Sequence, residues 1–176
     1  MDDKQGEQSE QTRLARRAIE SYVYHKHRLT LDDIESTILK EPAPCFVSLK
    51  IRGELRGCVG TLVATQGSLA EEIICNAISA ATQDPRFWPV RPDEVPKLSI
   101  SVDVLNPPEG VSGVAELNPS IYGVIVRRGR QVGLLLPDIP GITDAAYQVS
   151  IACQKAGLRP GDPELELSRF TVTRYH

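Results

Sequence analysis

A pair of short strands joined by a turn is the feature that most constrains the fold of this chain. The apolar residues of 45–51 recur at every second position, which is the period of a strand with one buried face. Residues 52–54 then supply a glycine-containing turn, and residues 55–60 can return as a second strand. The sequence therefore predicts an antiparallel hairpin near the start of the domain.

A cation and a thiol share one face of the second predicted strand. Side chains alternate along a strand, so Arg56 and Cys58 point to one side and Val59 points to the other. Glycine weakens a strand interior, so Gly57 and Gly60 indicate a bulge or a place where another group approaches the backbone closely. We therefore take Cys58 with Arg56 as candidate catalytic residues, and Gly57 and Gly60 as candidate ligand contacts.

Length and cysteine spacing limit the kinds of protein that this chain can form. Its 176 residues suit one domain over 11–176, preceded by a polar segment, 1–10, that is predicted to be a flexible tail. The four cysteines show neither a C-x-x-C pair nor a short spacing to histidine. A zinc or iron–sulfur site is therefore not predicted, and no motif identifies a cofactor.

Charge and hydropathy bear on location and on partners. The net charge is −3, which argues against broad binding of nucleic acid, because such binding depends on a positive surface. The sequence has no apolar run of about 18 residues and no basic-then-apolar N-terminus. We expect a cytoplasmic protein that neither spans a membrane nor binds nucleic acid non-specifically.

Three helices are predicted from periodicity and from their end signals. The first covers about 9–26; the second begins at Ser68, where Glu71 three residues later completes a capping box, and ends before Pro85. The third covers 143–156 and ends at a glycine. The polar side of the second helix is expected to be a wetted face carrying Glu71, Glu72, Asn76 and Ser79.

The segment after the second helix combines an acid, a base and two aromatic rings in a proline-braced loop. Arg86 can pair with Asp84 or with a ligand anion, and both residues are candidate ligand contacts. Phe87 and Trp88 can cover a pocket or cap the core, and the core position is favoured for Phe87.

The remaining segments predict further strands and a long connection. Residues 98–104 alternate cleanly, with a polar face that is solvated or lines a site. The connection 106–120 is rich in proline and glycine, and a hairpin follows around Arg127, Arg128 and Arg130. An anion site and a hydrated turn both fit these three arginines. A closing strand is expected around Phe170 and Val172.

The order of these elements predicts an α+β fold. Consecutive hairpins with helices between them indicate a largely antiparallel β-sheet packed by α-helices. A smaller β-containing subdomain is expected roughly within 106–140.

The second predicted strand also carries a family resemblance. Residues 55–60, Leu-Arg-Gly-Cys-Val-Gly, resemble the LRGC(I/V)G signature of the AMMECR1 domain family. The similarity continues through 76–77, 84–87, 98–105, 133–137 and 153–158, and it spans roughly residues 12–175. It implies the same α+β architecture, and it adds Asn76 to the candidate ligand contacts. Relatives usually have proline where this chain has Trp88.

The resemblance implies a biological setting without a settled biochemical activity. Bacterial and archaeal relatives, of the AmmeMemoRadiSam group, are often associated with a Memo-like protein and a radical SAM enzyme. These proteins are therefore the partners to expect, in a modification pathway with an unidentified substrate.

Two classes of function follow from the candidate residues. In the first, Cys58 is the nucleophile of an enzyme or of a substrate-carrying protein, and Arg56 or nearby backbone amides favour its thiolate. In the second, the protein binds a small anionic ligand or a partner on the same face, and Cys58 is only a small residue that fits. The absence of an identified base beside the cysteine favours the second class.

Overall fold

The computed structural model of the chain describes residues 8–34 and 38–176. Most of the predicted tail therefore lies outside the described residues. The described end of that segment leads directly into the first helix, where the Ser9 hydroxyl accepts a hydrogen bond from the backbone N–H of Thr12.

The described part of the chain contains three α-helices and eight strands. The helices are Glu10–His25 (α1), Leu69–Thr82 (α2) and Ala145–Ala156 (α3). The strands are Cys45–Ile51 (β1), Glu54–Gly60 (β2), Ser99–Leu105 (β3), Glu109–Val111 (β4), Gly123–Arg128 (β5), Gln131–Leu135 (β6), Glu166–Phe170 (β7) and Val172–Tyr175 (β8).

The strands form two four-stranded sheets. The order in the first sheet is β2-β1-β3-β8, and the order in the second is β4-β7-β5-β6. Strand β1 pairs antiparallel with β2 and β3, and the second sheet is antiparallel throughout. Together with the three helices these sheets confirm the predicted α+β class.

The chain divides into two compact units. One comprises Met1–Leu105 and Arg174–His176, and the other comprises Asn106–Thr173. In the first unit α2 packs on β1 and β2, and α1 packs on α2 and β3. The core lies between the sheet and these two helices, and its fully buried side chains include Ile19, Val47, Leu49, Ile73 and Val102.

The second unit is built around its own sheet and helix. Helix α3 packs on β5 and β6, and Val124, Val126 and Val149 lie in the core between them. This unit contains α3 and β7 as well as the hairpin, so it extends beyond the range 106–140 considered from the sequence. Arg128 of the hairpin is paired with Asp162 and Glu164.

The local signals for turns and helix ends are confirmed. Arg52 and Gly53 both have positive φ, 52° and 84°, as the two central residues of a type I′ hairpin turn require. Ser68 caps α2 by accepting from the N–H of Glu71, and Gly157 ends α3 in the left-handed conformation.

The prediction of a single closing strand is wrong. Phe170 ends β7 in the second sheet, and Val172 begins β8 in the first sheet, with Thr171 between them. An alternating sequence pattern identifies extended chain but does not say which sheet that chain joins, because pairing partners lie far away in sequence.

Candidate functional site

The hairpin β1–β2 places Cys58 on the sheet face opposite to the helices. Ser48 lies directly opposite Cys58 across the two strands, and Leu49, which is buried in the core, lies opposite Gly57. The register shifts next to this pair, so that Arg56 is the extra residue of a β-bulge. The bulge that the glycine-rich sequence suggested is therefore present.

Both glycines of the signature are contacted closely by this chain itself. A Cβ atom at Gly57 would lie 2.2 Å from the carbonyl oxygen of Ala80 in α2. A Cβ atom at Gly60 would lie 2.2 Å from the ring of Phe46, its partner across the hairpin. These glycines therefore admit a helix and an aromatic ring to the strand, which is a packing role.

The surroundings of Cys58 raise the pKa of its thiol. The hydroxyl of Ser48 donates a hydrogen bond to Sγ over 3.2 Å. Burial raises the pKa of Cys58, although the Ser48 hydrogen bond and the Arg86 charge oppose this shift. Its backbone N–H donates to Oδ2 of Asp84 over 2.9 Å, so this amide is already occupied. The site thus lacks the low thiol pKa on which a resting thiolate depends.

Asp84 and Arg86 form a tight pair beside the cysteine. The carboxylate of Asp84 is 5% exposed and accepts from Nε and Nη2 of Arg86 over 3.0 and 2.7 Å. The Arg86 hydrogen bonds hold the pKa of Asp84 well below its usual range, against the opposing effect of burial. Nη2 of Arg86 also reaches the carbonyl oxygen of Cys58 at 3.5 Å. The pairing considered from the sequence is confirmed.

Arg56 is a clamp between β2 and the loop after α2. Its Nε and Nη2 donate to the two carboxylate oxygens of Glu94 over 2.9 and 3.0 Å. Its Nη1 donates to the carbonyl oxygen of Trp88 over 2.9 Å, and Nη2 reaches that of Pro89 at 3.4 Å. Both side chains of the ion pair are only 16% exposed. The guanidinium of Arg56, a candidate site residue, is thus engaged by Glu94 and by the backbone of the loop.

Asn76 is also engaged inside the protein. It is 4% exposed, and its Nδ2 donates to the carbonyl oxygen of Cys45 over 2.9 Å. The structure thus separates Asn76 from the surface and places it between α2 and the start of β1. The predicted wetted face of α2 is wrong at this position, because β1 covers it.

The predicted wetted face of α2 is wrong at Glu72 as well, because this carboxylate is buried. It is fully buried and accepts from the hydroxyls of Thr61 and Thr65 and from the backbone N–H groups of Thr65 and Gln66. Burial raises the pKa of Glu72, but these hydrogen bonds outweigh it and leave the pKa below its ordinary value. Glu72 therefore fixes the loop after β2, and its position on α2 carried no signal for this role.

A surface cleft of about 510 Å³ lies between β2 and the 84–94 loop. Its lining residues are Arg56, Arg86, Phe87, Trp88, Pro89, Arg91 and Glu94. The side chains of Arg86 and Arg91 are 54% and 70% exposed, and Trp88 is 89% exposed. Phe87 is half-buried and lies under the guanidinium of Arg86; Cζ of Arg86 is 5.4 Å from the centroid of the Phe87 ring. The cleft combines cationic groups with an open aromatic surface.

The structure thus brings together four of the candidate residues from two distant segments. Gly57 and Cys58 lie on β2 beside Asp84 and Arg86. Two further residues of the cleft, Arg91 and Glu94, were not identified from the sequence. A short run of charged residues does not indicate which side chains they will pair with in the folded protein. Within residues 8–34 and 38–176, no cluster of histidine, cysteine, aspartate and glutamate could hold a metal ion.

The fold and the hairpin site define an α+β protein of two sheets in which strand β2, with its Leu-Arg-Gly-Cys-Val-Gly sequence, packs under helix α2. Residues 12–175 match the AMMECR1 family model, and the chain belongs to the AMMECR1 family. A protein of Thermotoga maritima is 48% identical over 161 residues, which is 90% of this chain and 92% of that protein. A protein of Thermococcus kodakarensis is 39% identical over 176 residues, covering 91% and 85%.

Two further comparisons concern longer and solved relatives. A protein of Clostridium acetobutylicum is 46% identical over 130 residues, which is 74% of this chain but only 27% of that longer protein. The crystal structure of an uncharacterised protein of Pyrococcus horikoshii superposes with a TM-score of 0.86 at 34% identity, covering 93% of this chain and 88% of that one. No helix in the described ranges is both long and apolar enough to cross a membrane.

Proposed function

We propose that this protein is a binding component whose ligand site for an anionic group is the cleft beside Trp88. The observation that carries the proposal is the arrangement of Arg86 and Arg91 around the exposed indole. The carboxylate of Asp84 accepts hydrogen bonds from Nε and Nη2 of Arg86, and the carboxylate of Asp93 accepts them from Nε and Nη2 of Arg91. Among the described contacts, Nη1 of each arginine has no hydrogen-bond partner. Two donor groups therefore remain for a carboxylate or a phosphate.

The paired acids support binding by fixing the arginines in place. Asp84 is buried behind Arg86 and holds its guanidinium through two hydrogen bonds. A side chain that is already ordered loses less entropy when a ligand arrives. Arg56 contributes in the same way, since it fixes the backbone of the loop through the carbonyl oxygens of Trp88 and Pro89. Arg56 is thus a positioning residue for the cleft.

The alternative, a cysteine-dependent enzyme or substrate carrier, receives less support from the site. A nucleophilic cysteine needs a depressed pKa or an adjacent base, whereas burial raises the pKa of Cys58. Its N–H is used by Asp84, and in the described part of the chain no hydrogen bond joins it to a histidine. Alkylation of Cys58 by iodoacetamide across pH 6–10 separates the two classes. Half-maximal reactivity below pH 8 would favour the enzyme.

The partners proposed for this component are the Memo-like and radical SAM proteins that the family resemblance implies. Support for them comes from that resemblance, and the cleft supplies a surface on which such a partner or its anionic substrate could bind. We propose that nucleic acid is not a partner, because the chain carries a net charge of −3.

The fluorescence of Trp88 provides a direct test, because it is the only tryptophan of the chain. Titration with citrate or inorganic phosphate is expected to change its emission saturably. The variant Arg91→Gln should weaken the response at least tenfold while folding normally, since its side chain is 70% exposed. Arg127→Gln, an exposed arginine of β5, is the matched control. A parent protein that does not respond to either anion, or an Arg91→Gln variant that responds equally, would refute the proposal.

A further inference from the structure

The exposure of Trp88 is not accounted for by a small anion alone. The indole is 89% exposed, more than any other large hydrophobic residue in the described ranges. A phosphate or a carboxylate bound by Arg86 and Arg91 would cover little of this ring. Tryptophan and arginine are the residues most enriched at the energetic centres of protein interfaces, where the partner covers them fully. The composition of the cleft therefore fits a polypeptide occupant.

The backbone that carries Trp88 is held rigidly although its side chain is exposed. Arg56 donates to the carbonyl oxygens of Trp88 and Pro89, and Arg56 is itself fixed by two hydrogen bonds to Glu94. The N–H of Val90 donates to the carbonyl oxygen of Ala81 in α2 over 2.7 Å. An aromatic side chain on a fixed backbone loses little conformational entropy on binding, which is the property of an interface anchor.

The charge of the cleft indicates the chemistry of the occupant. Each of its three arginines is paired with one carboxylate, Glu94, Asp84 or Asp93, and Nη1 of Arg86 and of Arg91 keeps no hydrogen-bond partner among the described contacts. Two guanidinium donors of this kind favour a segment that carries carboxylate acceptors. Nucleic acid fits less well, because its phosphates require an extended positive track, whereas this chain has a net negative charge.

We propose that the cleft docks an extended acidic segment of a partner protein. An apolar residue of that segment packs on Trp88, and flanking carboxylates pair with Nη1 of Arg86 and Arg91. The volume of about 510 Å³ accommodates several side chains of such a segment. This inference rests on the proposed function, and it specifies the ligand as a polypeptide that combines negative charge with an apolar residue.

Peptide selection tests this inference without a known partner. A random phage-displayed library is selected on the immobilised parent protein, and the same selection is run on Trp88→Ala. Peptides from the parent should be enriched in aspartate and glutamate around one aliphatic or aromatic residue. The Trp88→Ala selection should not yield them. Val63→Ala is the matched control, since Val63 is 70% exposed and does not line the cleft, and it should select the same peptides as the parent.

A selected peptide is then synthesised and titrated against the parent, with the emission of Trp88 as the readout. We expect a shift to shorter wavelength as the indole is covered, and competition by citrate. Replacing the apolar residue of the peptide by serine, or its acids by amides, should each weaken binding at least tenfold.

The outcomes separate this inference from the proposed function. If citrate binds the parent but selection gives no acidic enrichment, or the serine peptide binds equally well, the polypeptide occupant is refuted and anion binding stands. If citrate fails to bind, the proposed function fails. A labelled 20-nucleotide thymidine oligomer that binds more tightly than the selected peptide would also overturn the inference, in favour of nucleic acid.

Discussion

Replacing Gly57 by alanine should destabilise the first unit strongly. The added Cβ would lie 2.2 Å from the carbonyl oxygen of Ala80 and 3.2 Å from its carbonyl carbon. Both are backbone atoms of α2, so relief requires the helix to move away from the sheet rather than a side chain to rotate. Overpacking of this kind costs about 1–3 kcal/mol and sometimes more. Because backbone must move, we expect about 3 kcal/mol.

The assay is thermal unfolding followed by circular dichroism at 222 nm. For a chain of this length, about 1 kcal/mol corresponds to about 2–4 °C, so Gly57→Ala should lower the melting temperature by about 6–12 °C. Gly60→Ala should cost less, because its Cβ would meet the side chain of Phe46, which can change its χ1 rotamer without movement of the backbone. Gly110→Ala is the control, since no atom lies within 4 Å of the added Cβ. Equal melting temperatures for Gly57→Ala and Gly110→Ala would refute the close packing of α2 on β2.

Three further results are expected. Arg56→Ala should lower the free energy of unfolding by about 2–3 kcal/mol in urea denaturation, because the largely buried Glu94 loses its ion-pair partner and keeps only the N–H of Arg91, and Arg56→Lys should restore only part of it. Asp84→Asn should make the free energy of unfolding less dependent on pH in acid. The pKa of Asp84 in the folded protein lies below the unfolded value of about 3.9, so the parent loses the stability that the Asp84 carboxylate contributes as the pH falls below about 4. An equal slope of stability against pH in both proteins would contradict this. Cys58→Ser should fold and bind citrate like the parent, and loss of citrate binding with an intact fold would show that the thiol contacts the ligand.

The local features of the fold could be predicted from the sequence because they depend on neighbours in the chain. A turn over 52–54 follows from alternation interrupted by glycine, although its type I′ geometry was seen only in the structure, and the start of α2 follows from the hydroxyl of Ser68. Pairing of Asp84 with Arg86 could also be anticipated, since only one residue lies between them. Each of these interactions forms within a few residues, where the choices open to the backbone are few.

The site needed the tertiary structure, because its contacts join residues far apart in the sequence. The alternating pattern alone places Arg56, Gly57 and Cys58 on one strand. Only the packed structure decided that Arg56 pairs with Glu94, 38 residues later, and that Gly57 lies under α2. A guanidinium pairs with whichever carboxylate packing brings near, and a glycine has no side chain to indicate what fills its space. For that reason the cation expected to bind a ligand instead holds the loop that presents Trp88.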